Sequence, residues 1–390
     1  MAKMKGKMRV TFVLPVQSPY YSKRLSCLAL HSDLDLTLLL EQRFFSHRPG
    51  WMVEPIDGVR VEVLGGAVFA TTSKGDDEES AIHGVRSIPW RLPIVLWHSR
   101  PMIVVLCNAT QLLLALPIKW LLGVRLVQIV EDTPHAKRNT GGIRRRIRGW
   151  LMRRADSWVA FSEDAKEYLK QIGITHGVKR SSWSLDMNEF KRQTTLKSLG
   201  SQGESSLVHR TVAFVGSLVR SKGIIILLES WQSLPKSVRL QSRLLILGTG
   251  PLMEEVLKFI SFHSLDEVLV IGQVSYDNVK NYLSSSDLLV LPTMQDLFSL
   301  TVLEAMACGC AVITTPFNGA RELIDEGVNG WIVDPTQPGA LSAALERALT
   351  IEHDNLKRMG SAARLRVESM DNVLVMSTFA QDLYNLVSAK

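Results

Sequence analysis

The chain has 390 residues, 46% of them hydrophobic, and a formal net charge of +7. That length implies about two domains, each with its own core, and excludes a disordered polymer. The positive balance points to anionic partners such as nucleotides, phosphates or acidic lipids, while the four cysteines, with Cys308 and Cys310 as C-x-C and no His pair at zinc spacing, argue against a metal framework or a disulfide scaffold.

In chain order, "MAKMKGKMRVTFVLP" reads as the approach to a strand over 9–15. Its apolar stretch is too short for a secretory leader and ends at Pro15. A cytoplasmic protein is expected. Further strands are predicted over 36–41, 59–65, 102–107, 124–130 and 157–162. These are Val/Ile/Leu runs without clean alternation, as in strands covered on both faces. The greasiest stretch, 101–122, is interrupted by Asn108, Thr110, Gln111, Pro117 and Lys119. It reads as a strand and a buried helix, not a membrane span. Residues 191–210 are polar and Gly/Ser-rich, a linker pattern. A second series follows, with strands over 211–216, 242–248, 267–272, 287–293, 310–315 and 330–335. The end, 372–390, is helical by spacing. The prediction is an α/β protein of two facing, doubly wound, Rossmann-like domains with a cleft between them, residues 1–195 and 205–368.

Ligands of open α/β sheets bind beyond the carboxyl ends of strands, and four such ends in the second half carry unusual residues. In "FVGSLVRSKG" (214–223), Arg220 and Lys222 stand beside a helix start and could hold an anion. They could equally be solvated charges on an ordinary loop. "LILGTGPLMEEV" (245–256) has G-x-G but no third glycine, and Pro251 follows at once. It is a weak dinucleotide fingerprint and reads well as a turn opening a helix. Gly272, Gln273 and Val274 follow a strand, where backbone could meet a nucleobase edge or simply turn the chain.

The fourth is "DLFSLTVLEAMACGCAVITT" (296–315). A helix is expected from Phe298 or Ser299 to about Cys308. Asp296 just before it suits an N-cap or dipole partner. Glu304 has no such account, because its helical neighbours are Leu300, Thr301, Ala307 and Cys308. An unpaired buried carboxylate is costly. Its partner must come from another element or from the hydroxyls of a ligand.

Taken in order, "GSLVRSKG", "GTGP", "VIGQV", "DLFSLTVLEAMACG" and "NGARELIDEGVNGWIV" resemble the motifs of retaining glycosyltransferases of family 4, the glycosyl transferases group 1 of the GT-B fold. The likeness covers about 205–348. It implies a GT-B enzyme moving a sugar from a UDP- or GDP-sugar to an acceptor hydroxyl on a glycan or lipid-linked saccharide, as in polysaccharide biosynthesis, with no metal and no cofactor. It implies that Glu304 meets the donor ribose and that Lys222 holds the diphosphate. Asp296 stands where the family has a Glu that contacts the donor sugar; this D-x7-E form looks like some lipopolysaccharide-type members. The amides of Phe298, Ser299 and Leu300 would face the donor. Gly216 opens the first loop, and Ser217 replaces the family's usual Arg, for which Arg220 is the candidate substitute. The last helix, 370–390, would pack back on the N-terminal domain.

The N-terminal half resembles the family loosely. The loop "PVQSPYYSKR" (15–24) lacks the glycine pair of many members. "VQIVEDTPH" (127–135) puts Glu131 and Asp132 where many have His-Asp. Glu131, Asp132, His135 and Tyr20 are the acceptor-side candidates; the acids could equally cap the next helix. "HSDLDLT" (31–37) holds a D-x-D, read as a helix-to-strand turn and not as a metal site. "KRNTGGIRRRIRGWLMRR" (137–154) has eight basic residues and no acid. Ile143, Ile147, Trp150 and Leu151 share a stripe there. Residues 143–154 suit a helix lying on an anionic membrane, peripheral on the inner face of the plasma membrane, or a solvated basic face. No nucleic-acid motif is present. The rival readings are a GT-B sugar-nucleotide epimerase and a non-catalytic sugar-nucleotide-binding protein.

Overall fold

The computed structural model describes residues 6–43, 52–72, 83–132, 142–190 and 210–388. Contacts divide the chain into two units. One comprises Met1–Ser73, Ile82–Asp186 and Met370–Lys390; the other is chiefly Met187–Ser369. The expected linker, the residues around the predicted 195/205 boundary and His135 lie outside the described residues.

The first unit is built on β1 (Met8–Leu14), α1 (Pro19–Ala29), β2 (Leu34–Leu40), β3 (Val59–Val63), a hairpin of β4 (Ala67–Thr72) and β5 (His83–Ile88), α2 (Leu92–Ser99), β6 (Ile103–Leu106), α3 (Ala109–Leu122), β7 (Arg125–Val130), α4 (Gly142–Met152), β8 (Ser157–Ala160), α5 (Glu163–Gln171) and β9 (Val178–Arg180). Seven strands form one parallel sheet in the order β3-β2-β1-β6-β7-β8-β9; β4 and β5 pair antiparallel with each other. The strand order reverses between β1 and β6. Asp33 and Asp35 of the D-x-D stand at the amino end of β2, away from the carboxyl ends where sites form. Helix starts are written locally. Ser18 caps α1 by accepting from the Tyr21 amide at 3.3 Å, with Pro19 in the first turn. Asn108 and Gln111 make a reciprocal capping box on α3.

The second unit comprises β10 (Arg210–Val215), α6 (Ile224–Gln232), α7 (Lys236–Leu240), β11 (Ser242–Leu247), α8 (Met253–Phe262), β12 (Val268–Gly272), α9 (Tyr276–Ser284), β13 (Leu288–Val290), α10 (Leu300–Ala307), β14 (Ala311–Thr314), β15 (Gly330–Ile332), α11 (Ala340–Thr350) and α12 (His353–Val367). Its six-stranded parallel sheet runs β12-β11-β10-β13-β14-β15, with the order reversing between β10 and β13. Phe214, Trp231, Val302, Leu303 and Met306 are fully buried in its core. The last helix, α13 (Asn372–Ser388), belongs to the first unit, where Phe379 lies 6.2 Å from Phe12 of β1. Among the described residues no helix is long and apolar enough to cross a membrane.

Two glycines of the second unit are dictated by close approach. Gly223 has φ 71°, and a Cβ there would lie 2.0 Å from the Pro292 carbonyl oxygen. Gly248, the first glycine of G-x-G, has φ 143°, and its Cβ would lie 1.9 Å from the Gly216 carbonyl oxygen. The G-x-G therefore packs one strand-end loop against the next, as only glycine allows.

Candidate active site

The point where the strand order reverses leaves a crevice at the carboxyl ends, because neighbouring loops leave the sheet toward opposite faces. In the second unit this point lies between β10 and β13, and it holds an ion pair. Lys222, on the turn after β10, places Nζ 2.5 Å from Oδ2 of Asp296, on the loop after β13. Both side chains are partly exposed. The two loops are stitched together: the Ser221 carbonyl accepts from the Met294 amide at 2.8 Å and from Thr293 Oγ1 at 2.9 Å. Arg220 points elsewhere, with Nη2 3.9 Å from Glu255 on α8. That surface pair is weak. Ser217 is exposed on the same loop.

Asn318 fixes the approach to α10. Its Oδ1 accepts from the Ser299 amide at 3.2 Å and the Ala320 amide at 3.0 Å, and its Nδ2 donates to Thr314 Oγ1 at 2.9 Å. The Asp296 amide donates to the Phe317 carbonyl at 3.0 Å. The helix begins at Leu300, later than the sequence suggests, and Ser299 makes no side-chain cap. The Ser299 amide, expected to face a donor, is thus engaged by Asn318. Phe298 and Leu300 flank it, each partly buried.

Glu304 is 3% exposed, one turn into α10. The sequence offers no cation nearby on the helix, and the partner found is neutral. The hydroxyl of Tyr276, first residue of α9, donates to the Glu304 carboxylate. Burial, then the Glu304 charge and this bond, hold the Tyr276 phenol far above its ordinary pKa. Lys280, one turn on, lies 5.0 Å from the Tyr276 ring centre and pairs with Glu189 at 3.0 Å. Burial and Glu304 also push the Cys308 thiol up to about 11, so it stays a thiol at neutral pH. Gly272 ends β12 with φ 79°, and its carbonyl accepts from the Gly248 amide at 2.8 Å; Gln273 next to it is exposed and Val274 partly buried.

The first unit has a polar cluster at its own reversal point. Glu131, just after β7, accepts from the Tyr21 hydroxyl at 3.0 Å. Burial raises the Glu131 pKa, although the Tyr21 bond opposes this. Arg24, 2% exposed, donates to the Ser182 carbonyl at 2.8 Å and stacks 4.9 Å from the Phe161 ring. Glu41, just after β2, accepts from Gln111 at 2.7 Å and Asn108 at 3.1 Å. Asp132 pairs with Arg148 of α4. Sequence reading selected Tyr20, yet it is Tyr21 whose hydroxyl reaches Glu131. Read as a loop, 15–24 offers no helical phase to say which tyrosine faces the sheet end, whereas both stand on α1.

Residues 203–366 match the family model of glycosyl transferases group 1. An uncharacterized glycosyltransferase of Methanocaldococcus jannaschii is 28% identical over 180 residues, 45% of this chain and 44% of that one. The N-acetyl-alpha-D-glucosaminyl L-malate synthase of Bacillus anthracis is 26% identical over 213 residues, 54% of this chain and 52% of that one. The chain spans about half the length of the curated relatives it matches. Anabaena HepE, solved in complex with UDP, superposes with a TM-score of 0.75 at 16% identity, over 97% of this chain and 100% of that one. The fold is that of the GT-B glycosyltransferases. Within that class, residues 203–366 are similar to the glycosyl transferases group 1 family.

Proposed function

We propose that the chain is a retaining glycosyltransferase that moves a sugar from a nucleoside-diphosphate sugar to a hydroxyl of a glycan or lipid-linked saccharide. The observation that carries this reading is the Lys222–Asp296 pair at the reversal point of the second sheet, with buried Glu304 on the adjoining helix. A diphosphate would take the Lys222 ammonium, and Asp296 would then be released to a hydroxyl of the transferred sugar. Glu304 would accept from the ribose hydroxyls. That HepE was solved with UDP supports a uridine donor.

The reaction needs charge control at one place. As the bond from the sugar C1 to the diphosphate oxygen breaks, the electron pair goes to the leaving diphosphate. Lys222, and Arg220 once it leaves Glu255, would stabilise that developing charge, so the reading calls for no metal. The acceptor hydroxyl would attack from the same face, forming the new C1–O bond and losing its proton to the departing phosphate oxygen. In the first unit, Glu131, Asp132, Tyr20 and Tyr21 are the candidates for holding the acceptor. An acceptor embedded in a membrane agrees with a bilayer contact by residues 143–154 at the inner face of the plasma membrane.

The test is nucleoside-diphosphate release from UDP- and GDP-sugars by the full chain, compared with Lys222→Ala. We expect release from one donor, and a fall in kcat of roughly 10²- to 10³-fold in the variant, the scale for losing one preorganised charge donor. No release from any donor, or an unaffected variant, contradicts the reading.

A further inference from the structure

The helix layer formed by α2, α3 and α4 covers one face of the first sheet and has an unusual outer surface. The inner side is conventional: Leu96 of α2, Leu116 of α3 and Met152 of α4 join one core with Val104 and Leu126 of the sheet. The outer side should be polar on a surface helix. On α3 it is not. Leu113, Trp120 and Leu121 are 54%, 68% and 67% exposed, and with Pro117, also exposed, they make one stripe along the helix. The one charged residue of α3, Lys119, is turned away to Asp156 at 3.0 Å. Helix α2 continues the surface with exposed Ile94 and Trp97, and α4 with exposed Ile147 and Trp150.

The sequence that carries these helices is strongly basic, and Asp156, just past α4, is paired to Lys119 and Arg125. From Ser80 to Ala155 the chain carries 13 Lys and Arg against two acids, Glu131 and Asp132. Both acids stand at the end of β7 and are engaged by Tyr21 and Arg148. Arg91 and Arg100 are exposed at the two ends of α2, Arg146 within α4 and Arg154 just past it. Arg154 lies 4.6 Å from the Trp150 ring centre, which keeps a cation at the level of an aromatic. Acids return at Asp156, and α5, the next crossover, opens with Glu163 and Asp164.

We infer that the α2–α3–α4 surface docks on an anionic lipid bilayer, with the α3 stripe and its flanking tryptophans entering the interface and the arginines meeting lipid phosphates. Tryptophan and leucine with arginine at the rim is the composition of an interfacial surface. Arginines near such a membrane are drawn to its negative surface potential. This deepens the contact proposed above for 143–154 by moving its apolar centre to α3, and it holds whether or not the chain transfers a sugar.

Flotation of the full chain with vesicles of phosphatidylcholine, with and without phosphatidylglycerol, tests this. Wild type is expected to float with the anionic vesicles only. The double variant Trp120→Glu with Leu121→Glu is expected to bind them roughly tenfold more weakly or worse, about 1.4 kcal/mol, with an unchanged melting temperature. Independently of any variant, brominated acyl chains are expected to quench wild-type tryptophan fluorescence. Three outcomes overturn the inference. Wild type fails to float. Binding survives the α3 variant but is lost on Arg146→Glu with Arg154→Glu, which assigns it to charge on α4 alone. Or wild type is a dimer without lipid that the α3 variant dissociates, which makes the surface a contact between copies.

Discussion

Glu304 shows how far a single residue can be followed. Its oddity is legible in sequence, since a carboxylate among Leu, Ala, Met and Cys needs a partner. The partner itself was not legible. Tyr276 opens a different helix, where an aromatic reads as an ordinary core residue, and only the packing of α9 on α10 brings the two together. Tyr276→Phe removes one hydrogen bond from a buried charged group, which should destabilise the ligand-free protein by about 1–3 kcal/mol. Thermal melts of the variant should show this loss, and saturating nucleoside diphosphate should restore more of it than it adds to wild type. Glu131 gives a pH prediction. Its pKa is raised, chiefly by burial. A raised carboxyl pKa contributes stability that is present below the unfolded value and is lost as pH rises through the folded value. Glu131→Gln should therefore melt closer to wild type at pH 4 than at pH 7, where it should be the more stable protein. Melting curves across that range check it, and equal differences at both ends contradict it.

At the scale of elements, the strands buried on both faces were legible because Val/Ile/Leu runs have few other uses. The β4–β5 hairpin was not, since "AVFATT" and "HGVRSI" carry little apolar signal. Nor was β9, three residues "VKR" held by pairing to β8. Helix α10 starts later than its apolar pattern because Asn318, distant in sequence, ties down the residues before it. The loops matter more than the strands here, since the ion pair depends on their stitching. Gly223→Ala tests that. Its Cβ would lie 2.0 Å from a backbone oxygen at a positive φ, so the turn carrying Lys222 must move. We expect about 2–4 kcal/mol of destabilisation, seen as a lower denaturant midpoint, with weaker nucleotide binding. An unchanged midpoint would show that the turn yields freely.

Over the whole molecule, the two α/β series and the reversal point in each sheet follow from the alternation of buried strands and helices. The ordered motifs of the second half carried the family likeness because they serve geometry shared by many chains: Gly223 and Gly248 at close approaches, Lys222 and Asp296 at one crevice. The first unit is less legible, because its polar cluster is assembled from α1, α3 and the residues after β2 and β7 and leaves no local motif. The apolar stripe of α3 reads in sequence as part of a buried helix yet is exposed, since greasy residues signal burial without saying against what. In the proposed function, the crevice of the second unit takes a nucleoside diphosphate through Glu304. Thermal shifts of wild type and Glu304→Ala with UDP, GDP, ADP, CMP and NAD test it most directly. One nucleoside diphosphate, at about 100 times its dissociation constant, should add roughly 2.7 kcal/mol to wild type, a rise of several degrees, and little to the variant. No stabilisation of wild type by any of them, or an equal shift in Glu304→Ala, would contradict the account.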